Sequence, residues 1–505
     1  MVYSVVYSVV ASVVASVSES AVEDTEIPHA RVRFCGIGCG IGCDPWFVGR
    51  LGWGYNLCMS NGEDGSQVPP YFMGTADERP EEHADERPGE LDDVEFLLSP
   101  LARTILTELA RMDLGANQTL LRLTDLRRRV SPRQAGLLLS QARLRHRAAA
   151  KFPAADELFF VEEALEQATP WPVAQHHADW IHRHSPPGTV LDLGCGIGGD
   201  TLALATQRPV IAYDVAPDRL RFAQANVAHW ATVRADVQPV TFVEADWTAH
   251  LAADQAADQL PPAAAAFVDP ARRVAGRRVF SLHQMQPPLA AILDLAGRIP
   301  ALGVKVAPGV ADDEIPARCA VEFISHAGVC KEAVLWFGPL AEAAPAQRWA
   351  TVHQTGPLGD RWHTIPGTAD GARVTDLPDR LAPGALWLHE PDPAVIRAGG
   401  LPELCQRLDA HLFDGQIAYL IGPAQRTHPV AQSFRLLEIH DFSLKLLNRR
   451  LQALGLGRLE IKKRGSPIDP EQFRRKVKPA ATDRPGVVIL SRQGDRRLMF
   501  IAERP

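Results

Sequence analysis

From Leu91 to Lys151 apolar residues return at every third or fourth position, in VEFLLSPLARTILTELARM and again in LTDLRRRVSPRQAGLLLSQARLRHRAAAK. That spacing predicts helices. Ser99-Pro100 and Ser131-Pro132 supply their starts, a capping hydroxyl followed by a proline that fits the first helical position. Next, KFPAADELFFVEEALEQATPWPVAQHHADWI sets an apolar Leu158-Phe159-Phe160 before a polar turn and another helix. Strand and helix patterns then alternate to about residue 340, which argues a parallel, doubly wound α/β sheet. ALGVKVAP is its fifth strand, and VEFISHAGVCKEAVLWFG reads as a closing antiparallel pair. Residues 345–400 are richer in Pro and Gly and hold short strands such as ALWLHEP, after which DPAVIRAGGLPELCQRL resumes a helix. The last segment reads strand (FRLLEIHDF), helix (SLKLLNRRLQAL), strand (RLEIKKRG), helix (DPEQFRRKV) and two strands (GVVILSRQ, RLMFIAER). It is a compact α+β module. The expected divisions are a helical region over 91–155, an α/β domain over 156–342, a connecting α+β region over 343–430 and a basic α+β domain over 431–505.

The first ninety residues follow neither period. They open on the tetrads VYSV, VYSV, VASV and VASV, continue with CGIG repeats, and later carry ADERPEEH and ADERPGE. Short tandem repeats of three unrelated kinds do not build one packed core. Residues 1–90 are therefore expected to be a disordered, low-complexity extension, or to come from an upstream start. The opening tract has Ser at every fourth position and no Lys or Arg before it, and its roughly sixteen residues fall short of a membrane span. Neither export nor a membrane is expected.

Charge changes the picture. The net charge of −7 hides two basic blocks: nine Lys/Arg against two Asp over 112–151, and seventeen Lys/Arg against eight Asp/Glu over 434–505. Such blocks suit a nucleic-acid partner, although solvated helix faces give the same pattern. Cys195, Cys319, Cys330 and Cys405 are scattered through the folded region, as reduced thiols of a cytoplasmic protein would be. Cys35, Cys39, Cys43 and Cys58 lie closer together, but a repeated Gly-Ile-Gly fills the spacers and no His accompanies them, so no metal is expected.

Candidate chemistry gathers at strand ends. TVLDLGCGIGGDTLAL runs from an apolar strand through Asp192-x-Gly194-x-Gly196-x-Gly198 into a helix. Glycines there let the backbone turn tightly under a ligand, and the helix offers its N-terminal amides. Later strands end in Asp214, Asp246 and Asp269. An acid after the second strand can hold both hydroxyls of a ribose, in a dehydrogenase as well. The leading Asp192 and the glycine spacing suit DxGxGxG better than the GxGxxG pyrophosphate turn.

Together these motifs resemble the class I S-adenosylmethionine (SAM)-dependent methyltransferases. The resemblance implies a Rossmann-like, doubly wound, mostly parallel seven-stranded sheet with SAM as cofactor. It implies Gly194, Gly196 and Gly198 along the methionine part, Asp214 on the ribose and Asp246 on the adenine amino group. KFPAADELFF with LEQAT, then VDPARR, SLKLLNRRL and GRLEIKKRG, look like bacterial class I methyltransferases with a C-terminal THUMP-like domain, over about residues 91–505. THUMP modules in other RNA-modifying enzymes bind RNA. The catalytic part is also similar to trimethylguanosine synthases, which implies Phe159, Phe160, Gln167 and Thr169 near the cofactor.

Amino-directed nucleic-acid methyltransferases place an acid or amide, two prolines and an aromatic after the fourth strand. This chain reads Asp269-Pro270-Ala271-Arg272-Arg273, matching the first two positions and not the next two. Asp269 and the Pro270 carbonyl remain able to orient an amine. Arg272 or Arg273 would stack on a base or grip a phosphate. The alternative is that Asp269 caps a turn and the arginines face solvent. His176, His177, Lys305 and His326 are further candidates, although a lone His or Lys more often serves structure. Cys195 is expected to pack under the cofactor. Lys462, Lys463 and Arg464 are expected on an exposed loop at a strand end, with Arg449 and Arg450 extending an RNA-binding patch. The leading reading is methylation of a base in ribosomal or transfer RNA. Its alternatives are a small-molecule or protein methyltransferase, and an RNA-binding protein that has lost transfer.

Overall fold

The computed structural model describes residues 92–505 apart from 253–258, 271–272, 275–276, 279–280, 357–358, 369, 379–385 and 424, together with a short antiparallel pair, Gly49–Leu51 with Tyr55–Leu57. The expectations for residues 1–90, the cysteine cluster included, otherwise lie outside the described residues.

Helices α1 (Asp93–Leu98), α2 (Pro100–Leu109), α3 (Thr119–Leu126) and α4 (Pro132–Ala148) form the helical region. Ser99 Oγ accepts from the Ala102 amide at 3.2 Å. Ser131 and Gln134 cap each other reciprocally, side chain to backbone, at 3.3 and 3.1 Å. Each such cap is worth about 1 kcal/mol. Phe96, Ile105, Leu106, Leu138 and Leu139 face inward and close over Phe159 and Phe222.

After α5 (Glu162–Gln167) and α6 (Trp171–His184) the large sheet begins. Its strands are β1 (Val190–Leu193), β2 (Val210–Asp214), β3 (Val240–Glu244), β4 (Ala265–Val268), β5 (Leu302–Val306), β6 (Cys319–His326), β7 (Val329–Phe337), β8 (Arg348–Gln354) and β9 (Arg361–Pro366). They lie in the order β9-β8-β6-β7-β5-β4-β1-β2-β3. Strands β1 to β5 run parallel, and β7 is antiparallel to both β5 and β6, as the sequence implied. Parallel neighbours need crossovers, supplied by α7 (Gly199–Leu204), α8 (Pro217–Val233), α9 (Trp247–Ala252) and α10 (Leu289–Arg298). The chain leaves β1 toward β2 on one side and places β4 on the other. That reversal opens a crevice at the carboxyl ends of β1 and β4.

Nine strands stand where seven were expected. RWATVHQ (β8) pairs parallel with β6, and RWHTIP (β9) closes the edge antiparallel to β8. Their Pro/Gly-rich surroundings hid them as connecting chain.

A second sheet comprises β10 (Trp387–Pro391), β11 (His411–Leu412), β12 (Leu420–Gly422), β13 (Ala431–Asp441), β14 (Arg458–Lys463), β15 (Pro485–Gln493) and β16 (Arg496–Glu503), ordered β11-β12-β10-β13-β16-β15-β14. Helix α11 (Leu444–Leu454) follows β13. The expected connecting region is thus shared out, its first part to the first sheet and its second part to this one. Strands β10 and β14 are four strand spacings apart, about 19 Å if the sheet were flat. Yet Lys462 on β14 meets Glu390 on β10 at 2.6 Å. The sheet must coil strongly, around a core of Phe413, Tyr419, Phe434 and Phe500. Val395, Leu404, Leu408, Leu412 and Leu420 from the 393–422 stretch belong to the same apolar core as Leu191, Val304 and Phe323 of the large sheet.

Candidate active site

A cavity of about 740 Å³ opens at the carboxyl edges of β1 to β4. Its floor is the glycine loop. Gly194 has φ +94°, and a Cβ there would lie 2.8 Å from the Asp269 carbonyl oxygen, so only glycine lets β4 approach β1 this closely. Gly196 has φ +56° and open space where a Cβ would stand. Its amide donates to Asp214 Oδ2 at 2.8 Å, and the Ala216 amide donates to Oδ1 at 2.8 Å. Asp214 is thereby fixed at the tip of β2, nine-tenths buried, with its carboxylate on the cavity wall. Gly198, expected along the ligand, does not line the cavity: it begins α7 and packs on Ala223.

Asp192 lies beneath the loop at 1% exposure and accepts from Thr201 Oγ1. Burial, with the Asp200 charge nearby, pushes its carboxyl up to about 8, so it holds a proton at neutral pH. Asp246 lines the opposite wall and caps α9, accepting from the Thr248 amide and hydroxyl at 2.9 and 2.7 Å. Cys195 also lines the cavity, and burial holds its thiol well above the usual range.

Gln167 and Thr169 border the cavity as expected, whereas Phe159 and Phe160 do not. Phe159 stacks on Phe222 at 5.6 Å, beneath the guanidinium groups of Arg103 and Arg145. Phe160 turns the other way, onto Phe152 and into the core with Ile197. Among the described residues no strand pairs with this stretch, and two side-chain amides bond its backbone instead. Gln141 bonds the Phe160 amide and carbonyl at 3.0 and 3.1 Å. Asn226 bonds the Phe159 amide and carbonyl at 2.7 and 3.0 Å and also reaches the Ile197 carbonyl of the glycine loop at 3.0 Å. The pair therefore braces the loop from below instead of touching a ligand.

Beside the cavity lies a charged network that joins Thr169 and Asp269 to residues the motifs do not mark. Thr169 Oγ1 donates to Asp200 Oδ2 at 2.8 Å and accepts from Lys305 Nζ at 2.7 Å. Lys305 also bonds Asp269 Oδ2 and stands 3.7 Å from Asp200. His177 bridges Asp200 (Nδ1, 3.0 Å) and Glu332 (Nε2, 2.9 Å). Burial opposes charge on His177, but the two carboxylates outweigh it and raise the imidazole to about 9. Burial likewise opposes charge on Asp200, yet Lys305 and His177 hold it at about 2. The signal in sequence was faint: a lysine inside the apolar strand LGVKV and an aspartate in GGD. Of the other candidates, His176 pairs with buried Glu322 at 2.7 Å, and His326 meets His353 at 2.9 Å; neither lines the cavity.

Asp269 and Pro270 line the cavity beside Gly194. Ala271 and Arg272 lie outside the described residues, and Arg273 is described only as backbone in a two-residue strand.

The basic candidates of the second sheet divide. Lys462 and Lys463 lie within β14 and not on a loop. Lys462 is half-buried against Glu390, and Arg464 bonds the Ala418 carbonyl at 2.9 Å and covers the Tyr419 ring. Arg450 pairs with Glu438 at 2.9 Å. Lys462 and Arg464 tie the ends of the coiled sheet together, and Arg450 ties α11 to β13. Lys463 and Arg449 are exposed. Asn448 and Gln452 of α11 bond the 476–479 backbone, bringing exposed Lys476 and Lys478 alongside the helix that carries exposed Lys445 and Arg449. Among the described residues no group of three or more side chains is placed to hold a metal, and no helix is long and apolar enough to cross a membrane.

The cavity has room for SAM on its own features: a ligand-sized volume, open space over Gly196, and carboxylates on its walls. Family models match in three places: a methyltransferase domain over residues 190–276, a THUMP domain-like module over 431–504, and a domain of unknown function over 90–148. Two uncharacterized S-adenosylmethionine-dependent methyltransferases, from Mycobacterium tuberculosis strains CDC 1551 and H37Rv, are each 33% identical over 380 residues, 72% of this chain and 94% of theirs. The release factor glutamine methyltransferase of Escherichia coli K12 is 39% identical over 72 residues, 14% of this chain and 24% of its own. Among solved structures, a Porphyromonas gingivalis W83 protein assigned as a methyltransferase superposes with a TM-score of 0.58 at 17% identity, covering 80% of this chain and 99% of that one. That likeness is one of fold.

Proposed function

This chain belongs to the S-adenosylmethionine-dependent methyltransferases, and from that premise we propose that its acceptor is a base in RNA. The observation that carries the reading is the THUMP domain-like module, with its exposed Lys463, Arg449, Lys445, Lys476 and Lys478, on the same chain as the cavity. THUMP modules bind RNA in other RNA-modifying enzymes, and exposed surface cations suit a phosphate backbone.

Asp214 would take the ribose hydroxyls of SAM and Asp246 the adenine amino group, while Gly194 and Gly196 leave room for the methionine part. When bound, SAM supplies a methyl group already activated on a sulfonium. The protein's task is therefore alignment, the largest contribution available without acid–base chemistry. Asp269 and Pro270 line the cavity beside Gly194, and the Asp269 carboxylate and Pro270 carbonyl would accept N–H hydrogen bonds from the acceptor's amine. Four described cysteines carry free thiols, which suits the cytoplasm, where such RNA is found.

The test compares the methylated nucleosides of ribosomal and transfer RNA, by mass spectrometry, from a strain lacking the gene and from its parent. One methylated base missing from the deletion strain, and restored by purified enzyme with SAM, is the expected result. Identical profiles overturn an RNA acceptor.

A further inference from the structure

Lys305 is the fourth residue of β5, whose five positions are all buried; its own exposure is 1%. An ammonium at that depth survives only if its protons are matched by acceptors. Its partners among the described residues come from three separate elements. Thr169 closes the segment after α5 that lines the cavity, Asp200 lies in the first turn of α7, and Asp269 leaves β4. All three line the cavity, and Asp269 keeps 24% of its side chain exposed. One buried cation thus ties the wall behind the cofactor loop to the acid on the acceptor side.

We propose that Lys305 is the positioning residue of the transfer site, fixing both the orientation and the charge of Asp269. The inference rests on reading Asp269 as the acceptor-side acid. A carboxylate bonded to a buried ammonium is a weak base. Asp269 then accepts an N–H hydrogen bond that aims the acceptor's lone pair, and the proton leaves to solvent after the methyl group has transferred. Among the described residues, the groups facing this pair are Asp200 and Thr169 beside Lys305, Asp192 below the glycine loop, and His177 with Glu332 behind Asp200. With Lys305 made neutral, Asp192, Asp200 and Asp269 share the pocket with His177 behind them. Asp269 then takes up a proton more readily.

The variants are Lys305→Met, Asp269→Asn and the double substitution, with Lys305→Gln in reserve should the methionine variant not fold. Transfer of labelled methyl from SAM into RNA of the deletion strain is followed from pH 5.5 to 9, beside calorimetric SAM binding and thermal melts over the same range. Lys305→Met should lower kcat by about a hundredfold near neutral pH, the cost of a mis-set reacting geometry, while KM for RNA changes little. Its acid limb should move up by more than about one pH unit, so that activity recovers as pH rises. Its melting temperature should rise on acidification more than the wild type's, and Asp269→Asn should remove that excess. A wild-type profile, or an equal loss at every pH with melts that Asp269→Asn leaves unchanged, overturns the proposal. If the wild type transfers nothing to RNA, the RNA reading falls, and the melts still decide the Lys305–Asp269 coupling.

Discussion

The two oxygens of Asp214 each accept a backbone amide, from Gly196 and from Ala216, before any ligand arrives. The residue therefore shapes the glycine loop, and on the reading proposed above it would also present its charge to the ribose of SAM. Asp214→Ala should weaken SAM binding by about 1.5–3 kcal/mol, the worth of charge-assisted hydrogen bonds. Isothermal calorimetry on the folded variant measures it, and an unchanged Kd refutes the assignment. Asp214, Asp246 and Asp269 could be read from the sequence because a strand end dictates where a side chain emerges. Phe160 could not. Its neighbours in sequence suggest the cofactor, but a one-residue alternation decides which face a side chain takes, and the amides of Gln141 and Asn226 that fix this alternation come from residues far away in the chain.

Among elements, α6, α7 and β7 meet at one buried imidazolium. His177 from α6 lies between Asp200 of α7 and Glu332 of β7, raised to about 9. An ordinary imidazole near 6.5 in the unfolded chain gains the proton on folding. The stabilisation is whole below pH 6.5 and is lost as pH climbs through 9, roughly 3 kcal/mol in all. Asp192 works over an earlier window: its raised carboxyl, near 8, erodes stability between about pH 4 and 8 and adds nothing further above. Thermal melts from pH 8 to 9.5 should therefore fall in the wild type and flatten in His177→Gln. A parallel fall in both would show that His177 is neutral in the fold. Alternation of strand and helix made the parallel sheet legible, and Ser99 and Ser131 marked their helices correctly. The pairing of β8 with β6 was not legible, because nothing local in RWATVHQ records which distant edge it will join.

At the scale of the molecule the basic residues separate into those that close the second sheet and those that face solvent. Lys462→Ala removes a half-buried partner of Glu390 and should lower the melting temperature while leaving RNA affinity nearly unchanged. Replacing Arg449, Lys463, Lys476 and Lys478 with Ala should leave stability alone. It should flatten the salt dependence of RNA binding by up to about three units of log–log slope. Filter binding across a salt series, beside thermal melts of the same proteins, distinguishes the two sets. A Lys462 variant that loses RNA and keeps its stability would reverse the division. Net charge concealed this sorting, since a lysine against glutamate and a lysine in water count alike.

Residues of the 393–422 stretch lie in one apolar core with Leu191 and Val304, so the second sheet is not a bead on a string. Apolar packing of this kind resists small changes of geometry. The span from the surface cations to Asp269 is therefore a fixed length. On the reading proposed above, the protein works as a ruler: it would modify whichever base lies at that distance from the feature it grips. An insertion of one helical turn in the gripped RNA stem should then move the methyl group to a different nucleotide without abolishing transfer.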